Sequence, residues 1–170
     1  MVLRLVQEIR KALDNNLYFV ALNSALTLPD ICGKVAFPEK RNKERYILWY
    51  DEEIGKYEKN PKDTENMPYL SGNVIYNLRC SILHEGNPNI SSRVGIDHFS
   101  VVIEEANEFD FYFDLKILLN LGGKQDCYYR MSVRRICMIL CNVAESYYIE
   151  NKDKFHFNYD IIDKDKIAGE

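Results

Sequence analysis

The stretch SGNVIYNLRCSILHEGNP, residues 71–88, decides how the chain is read. Ser71 is a good helix N-cap, Gly86 suits the left-handed residue that ends a helix, and Pro88 blocks a restart. At about 100° per residue, Val74, Ile75, Leu78 and Ile82 share roughly one third of the circumference, the width of a buried stripe. Arg79 and His84 then stand at the two edges of the opposite face, with Tyr76, Cys80 and Leu83 between them. That face is semi-apolar and asks for a partner surface.

Outward from this helix the periodicity stays helical. Val2, Leu5, Val6, Ile9 and Leu13 form an amphipathic first helix. LYFVALNSAL, residues 17–26, is apolar on nearly every side, so it predicts a buried helix. PDICG, residues 29–33, reads as a short turn opened by Pro29 and closed by Gly33. EKRNKERYILWYDEEIGKY, residues 39–57, is a helix with a basic start and an aromatic middle, and EKNPKDTENMP, residues 58–68, is a loop. A last helix spans about Ser132–Glu150. Ile136, Cys137, Leu140, Cys141, Val143, Ala144, Tyr147 and Tyr148 line its core face, and Arg134, Arg135, Asn142 and Glu145 its polar face. After Asn151 the tail is polar, with three aromatic residues, and is expected to dock loosely.

Between the last two helices the period changes to two. Phe99, Val101 and Ile103 alternate with His98, Ser100 and Val102, and Phe111, Phe113, Leu115, Ile117 and Leu119 with Tyr112, Asp114, Lys116 and Leu118. With EEANEFD joining them, these runs predict a β-hairpin over about 98–120, and GGKQD, residues 122–126, a turn. The expected fold is a single mainly α domain over 1–170, a helical bundle with a small β-hairpin insertion.

Composition narrows the function classes. Apolar residues at 46% and charged residues at 28% are ordinary globular values, in a chain of 170 residues that is long enough for one core. A net charge of −4 argues against coating nucleic acid non-specifically and leaves room for a local basic site. Arg4, Glu8, Arg10 and Lys11 interrupt any secretory core, and no run reaches the length of a membrane span. Five cysteines, an odd count, fit reduced thiols in a cytoplasm better than a disulfide framework.

Arg79 and His84 carry the chemistry. A guanidinium grips a phosphate through a fork of hydrogen bonds. His84 lies in the last helical turn, whose negative dipole end favours a protonated imidazole. A fixed cation beside a proton-exchanging imidazole is the minimum equipment for metal-free RNA cleavage.

Arg79-Cys-Ser-Ile-Leu-His84 resembles the Arg-x4-6-His signature of the HEPN superfamily, and LPDICG followed by YLSGNVIYNLRCSILHEGNP is similar to bacterial proteins of this kind. The family comprises small helical bundles, many of them metal-independent endoribonucleases of toxin–antitoxin, abortive-infection and CRISPR systems. The resemblance implies a HEPN-like homodimer in which Arg79 and His84 of two protomers meet in one cleft. Tyr76, Asn77 and Cys80 would support substrate, with RNA as substrate and no metal or cofactor. It also implies an antitoxin or regulatory protein as partner. Many active members have Asn, Asp or His directly after the arginine, where this chain has Cys80. The competing class is therefore a non-catalytic binding or regulatory module of the same fold.

Other patterns stay open. Cys80 with His84, and Cys137 with Cys141, are i, i+4 pairs of the sort that holds structural zinc, although the second pair sits in a core stripe. Cys80 and His84 also have the spacing of a nucleophile pair. Lys40, Arg41, Lys43 and Arg45, and Arg130, Arg134 and Arg135, are basic clusters suited to an RNA backbone or to plain solvation. Trp49, Tyr46 and Tyr50 suit base stacking or the core. Asp30 and Cys32 mark a tightly built turn, with Asp30 able to pair with a nearby arginine.

Overall fold

Helix α1, Val2–Asp14, buries Val2, Val6, Ile9 and Leu13, the stripe that its spacing sets. Asn16 takes a positive φ of 57°, which asparagine tolerates, and turns the chain into α2, Tyr18–Ala25. The computed structural model describes residues 1–58, 70–88, 90, 96, 98–103, 115–121 and 124–156. Of the loop expected at 58–68, Glu58 is helical and the rest lies outside these residues, as do residues 104–114 of the expected hairpin and the last part of the tail.

The sequence predicts α2 to be buried all round, and only one side is. Tyr18, Ala21, Leu22 and Ala25 face the core. Leu17, Phe19 and Val20 are 53, 53 and 56% exposed, because α1 and the two later helices that pack on α2 leave its outer side uncovered.

Helix α3, Leu28–Ala36, runs on through Gly33, which the sequence predicts as its stop. The glycine serves packing instead. A Cβ there would lie 2.7 Å from the carbonyl oxygen of Arg45, so its absence lets α3 lie directly against α4, Asn42–Tyr50. A π-helical segment, Asp51–Gly55, and a last turn, Lys56–Glu58, continue α4. Tyr46, Trp49 and Tyr50 are fully buried from α4, and Ile54 from the π segment.

Helix α5, Gly72–Glu85, follows the predicted boundaries. The Ser71 hydroxyl accepts from the Val74 N–H at 3.3 Å, and Gly86 ends the helix at φ 64°. Val74, Ile75 and Leu78 are buried, each contributing about 1.5–3 kcal/mol of burial, and Ile82 is partly covered. Asp51 adds a second cap, since its Oδ1 accepts from the Gly72 N–H at 2.6 Å.

The insertion is a three-stranded sheet of order β1-β3-β2, built from His98–Val102, Leu115–Leu121 and Lys124–Ser132. A helical bundle with a small strand insertion is thus the architecture, and the pairing inside it differs from expectation. β1 and β2 are not partners. β3 lies between them, parallel to β1 (His98 opposite Tyr128) and antiparallel to β2 (Leu115 opposite Arg130). Two residues separate β2 from β3, so closing that hairpin costs far less chain entropy than closing β2 onto β1. Phe99, Tyr129 and Met131 turn one sheet face to the core.

Ser132 ends β3 and caps α6, Val133–Glu150, by accepting from the Arg135 N–H at 3.2 Å. Ile136, Cys137, Leu140, Cys141 and Ala144 bury the predicted face. On the polar side Glu145 and Asn142 meet Arg10 of α1 at 2.6 and 2.9 Å. Arg134, expected on that open side, is 7% exposed. Its Nη2 donates to the Leu13 carbonyl at 3.2 Å and to the Tyr18 hydroxyl at 3.3 Å, which draws it inward. Among the described residues no helix is long and apolar enough to cross a membrane.

Candidate functional site

Arg79 leaves α5 beside the buried Ile75 and Leu78, and turns toward α3 instead of toward open solvent. Its Nε lies 2.7 Å from Oδ2 of Asp30, with both side chains 18% exposed. This is a close charge contact whose N–H is not aimed along the line to the oxygen. Asp30 sits in the first turn of α3, where the helix dipole favours an anion. Burial nevertheless pushes its carboxyl above the usual range, while the positive fields of Arg79 and Arg45 pull the other way. Oδ1 of Asp30 is buried without a hydrogen-bond partner.

The wall of the site comes from α4. Tyr46 is fully buried and donates its hydroxyl to the Leu26 carbonyl at 3.0 Å, and burial raises its phenol strongly. Its ring meets that of Tyr76 edge to face, with centroids 5.3 Å apart. Tyr76 is pushed up by burial and by its contact with Cys80, so those two side chains touch. Lys43 places its Nζ 5.6 Å over the Tyr76 ring. Asn77 uses its amide within the helix, donating to the Asn73 carbonyl at 2.8 Å.

The structure therefore gathers Arg79, Tyr76 and Cys80 with Asp30, Tyr46 and Lys43 into one seam among α3, α4 and α5. His84 stands apart from it. It is exposed at the end of α5 and makes no hydrogen bond or ion pair among the described residues. Sequence reasoning raised Asp30 as an arginine partner and missed the Lys43–Tyr76 contact. The signal for it was spacing: Lys43 and Tyr46 are three apart on α4, and Tyr76 and Arg79 three apart on α5.

The cysteine pairs point elsewhere. Cys137 and Cys141 are buried in the α6 stripe, and desolvation raises both thiols, that of Cys141 to about 11. Cys32 is likewise raised by burial, to about 12. Among the described residues no three His, Cys, Asp or Glu side chains come together as metal ligands. Chemically, the seam offers a guanidinium tethered through Nε, with its two Nη groups not hydrogen-bonded to any described residue. That edge is the fork that matches a phosphate. Comparison with protein-family models, curated proteins and solved structures finds no match to this chain.

Proposed function

We propose that the chain is a metal-independent endoribonuclease of HEPN type, acting in the cytoplasm as a homodimer in the manner of a toxin or phage-defence protein. The observation that carries this reading is the half-buried Arg79, fixed by Asp30 with its Nη edge still available, on the same helix as an exposed, uncommitted His84. Pairing two chains through the α5 face would bring Arg79 of one protomer to His84 of the other. Single-stranded RNA would lie in the shared groove, with Tyr76, Asn77 and Cys80 supporting it.

In the reaction the ribose 2′-oxygen attacks the adjacent phosphorus and the bond to the 5′-oxygen breaks. His84 takes the 2′-hydroxyl proton or delivers one to the leaving oxygen. Arg79 matches the charge that builds on the phosphoryl oxygens. The products are a 2′,3′-cyclic phosphate and a 5′-hydroxyl. An antitoxin or regulatory protein would hold such an activity in check.

Two observations favour a second reading, a non-catalytic binding or regulatory module of the same fold. Asp30 already matches part of the Arg79 charge, and Cys80 follows the arginine. Incubating the native oligomer with single-stranded RNA in excess chelator separates the two. Cleavage by the wild type, lost in His84→Ala, is the expected result, and equal inertness of both overturns catalysis. Expression should slow growth for the wild type and spare it for Arg79→Ala.

A further inference from the structure

We infer that Lys43, carried on the Tyr76 ring, is a second phosphate-binding position, gripping the RNA backbone next to the phosphate held by Arg79. The inference rests on the RNA reading above and extends it to the path of the strand. Of the cations around Lys43, Arg41 at the start of α4 is also exposed but has no aromatic contact among the described residues, and the others are matched or covered. Lys40 pairs with Glu44 at 2.9 Å and Arg79 with Asp30 at 2.7 Å, and Arg45 has a buried Nε. Lys43 is exposed and makes no ion pair among the described residues.

Its position is not that of a freely waving lysine. The Nζ lies 5.6 Å over the Tyr76 ring, an attraction of about 0.5–1 kcal/mol at an exposed site. Tyr76 is in turn held edge to face by Tyr46, whose hydroxyl is anchored to the Leu26 carbonyl. The aromatic wall thereby biases the ammonium toward this position. Tyr76 and Arg79 are i, i+3 neighbours, about 5–6 Å apart at Cβ, so the two cations follow one another along α5. The axis of the helix then orders two stations: Lys43 above Tyr76 and Arg79 at the Asp30 clamp. A phosphodiester chain laid along this line meets the ammonium and then the clamped guanidinium. A compact anion would need only one of the cations.

The test uses the full-length protein and a single-stranded RNA oligomer made uncleavable by 2′-O-methylation, with binding read by fluorescence anisotropy across salt. Lys43→Ala should weaken binding several-fold and reduce the slope of log affinity against log salt by about one. Lys40→Ala, whose charge is already paired, should leave that slope unchanged. On cleavable RNA, Lys43→Ala should raise KM and leave kcat within about twofold, as loss of uniform binding does. Equal affinity and slope for wild type and Lys43→Ala overturn the inference, as does a wild type that binds no RNA. If RNA binds with a Lys43-dependent slope but is not cleaved, the catalytic reading falls and this one stands. If RNA is cleaved and the Lys43 variant is indistinguishable, the reverse holds.

Discussion

Arg134 of α6 and Arg79 of α5 both leave the margin of a buried helix face, one in the seam with α1 and α2, the other in the seam with α3 and α4. Their acceptors differ. Arg134 is 7% exposed, donates to the Leu13 carbonyl and the Tyr18 hydroxyl, and lies 5.5 Å over the Tyr18 ring. The Leu13 carbonyl and the Tyr18 hydroxyl are neutral, and through them it joins the end of α1 and the start of α2 to α6. Arg79 is held from one side by a carboxylate and keeps the other edge near the surface. A buried arginine that donates to backbone and side chain of neighbouring helices stabilises a fold, and an arginine clamped through one nitrogen can still receive an anion.

The largest expected effects set these two residues against each other. Arg79→Ala should lower RNA cleavage by about 10²–10³-fold, the range for losing one preorganised charge-stabilising group. Arg134→Ala should leave cleavage per folded molecule unchanged and cost about 3 kcal/mol in denaturant unfolding, since buried acceptors lose their donor. A loss of kcat in Arg134→Ala at full occupancy of the folded state would break the comparison.

Asp30→Asn sharpens it. Burial holds this carboxyl above its ordinary range, so the folded chain binds the proton more tightly than the unfolded one. Between the ordinary carboxylate value and the raised one, wild-type stability therefore falls as pH rises. The asparagine variant lacks that component, and the stability difference should move in its favour across the window. Cleavage should nevertheless drop between about 10- and 100-fold, because the guanidinium loses its tether and its geometry. Thermal unfolding against pH, read beside kcat, checks both signs. A variant that keeps full activity would mean that the tether does not position Arg79.

The sequence carries local information about these seams and little about their depth. The α5 caps and stripe, the α1 period and the core face of α6 are set within each helix, and all are visible in residue spacing. Asp30 was legible as a carboxylate in a tightly built turn, able to pair with some arginine, and nothing in its own segment says which. The burial of Arg134 was not, because it depends on a carbonyl 121 residues away and a tyrosine 116 away. Gly33 looks like a stop from within α3 and is a contact only once α4 lies against it. In the insertion both alternating runs contain strands, but their partner is β3, whose first residues carry the polar signature of a turn. Pairing is a property of two segments, and no single window shows it.

Ser71→Ala carries the smallest effect and tests where the clamp draws its rigidity. The substitution removes the acceptor for the Val74 N–H and should cost about 1 kcal/mol, the usual value of a serine cap. Only that donor is orphaned, because the Gly72 N–H keeps its 2.6 Å bond to Asp51. Fraying should stay in the first turn of α5, measurable as faster hydrogen exchange there than at Leu78. Arg79 lies about two turns further on and is fixed from α3, an element the cap does not touch. Cleavage by Ser71→Ala should therefore remain within about twofold of wild type, in line with a surface change away from the site. If activity falls together with the cap, the guanidinium depends on the start of its own helix more than on Asp30, and its likeness to Arg134 is greater than the two seams suggest.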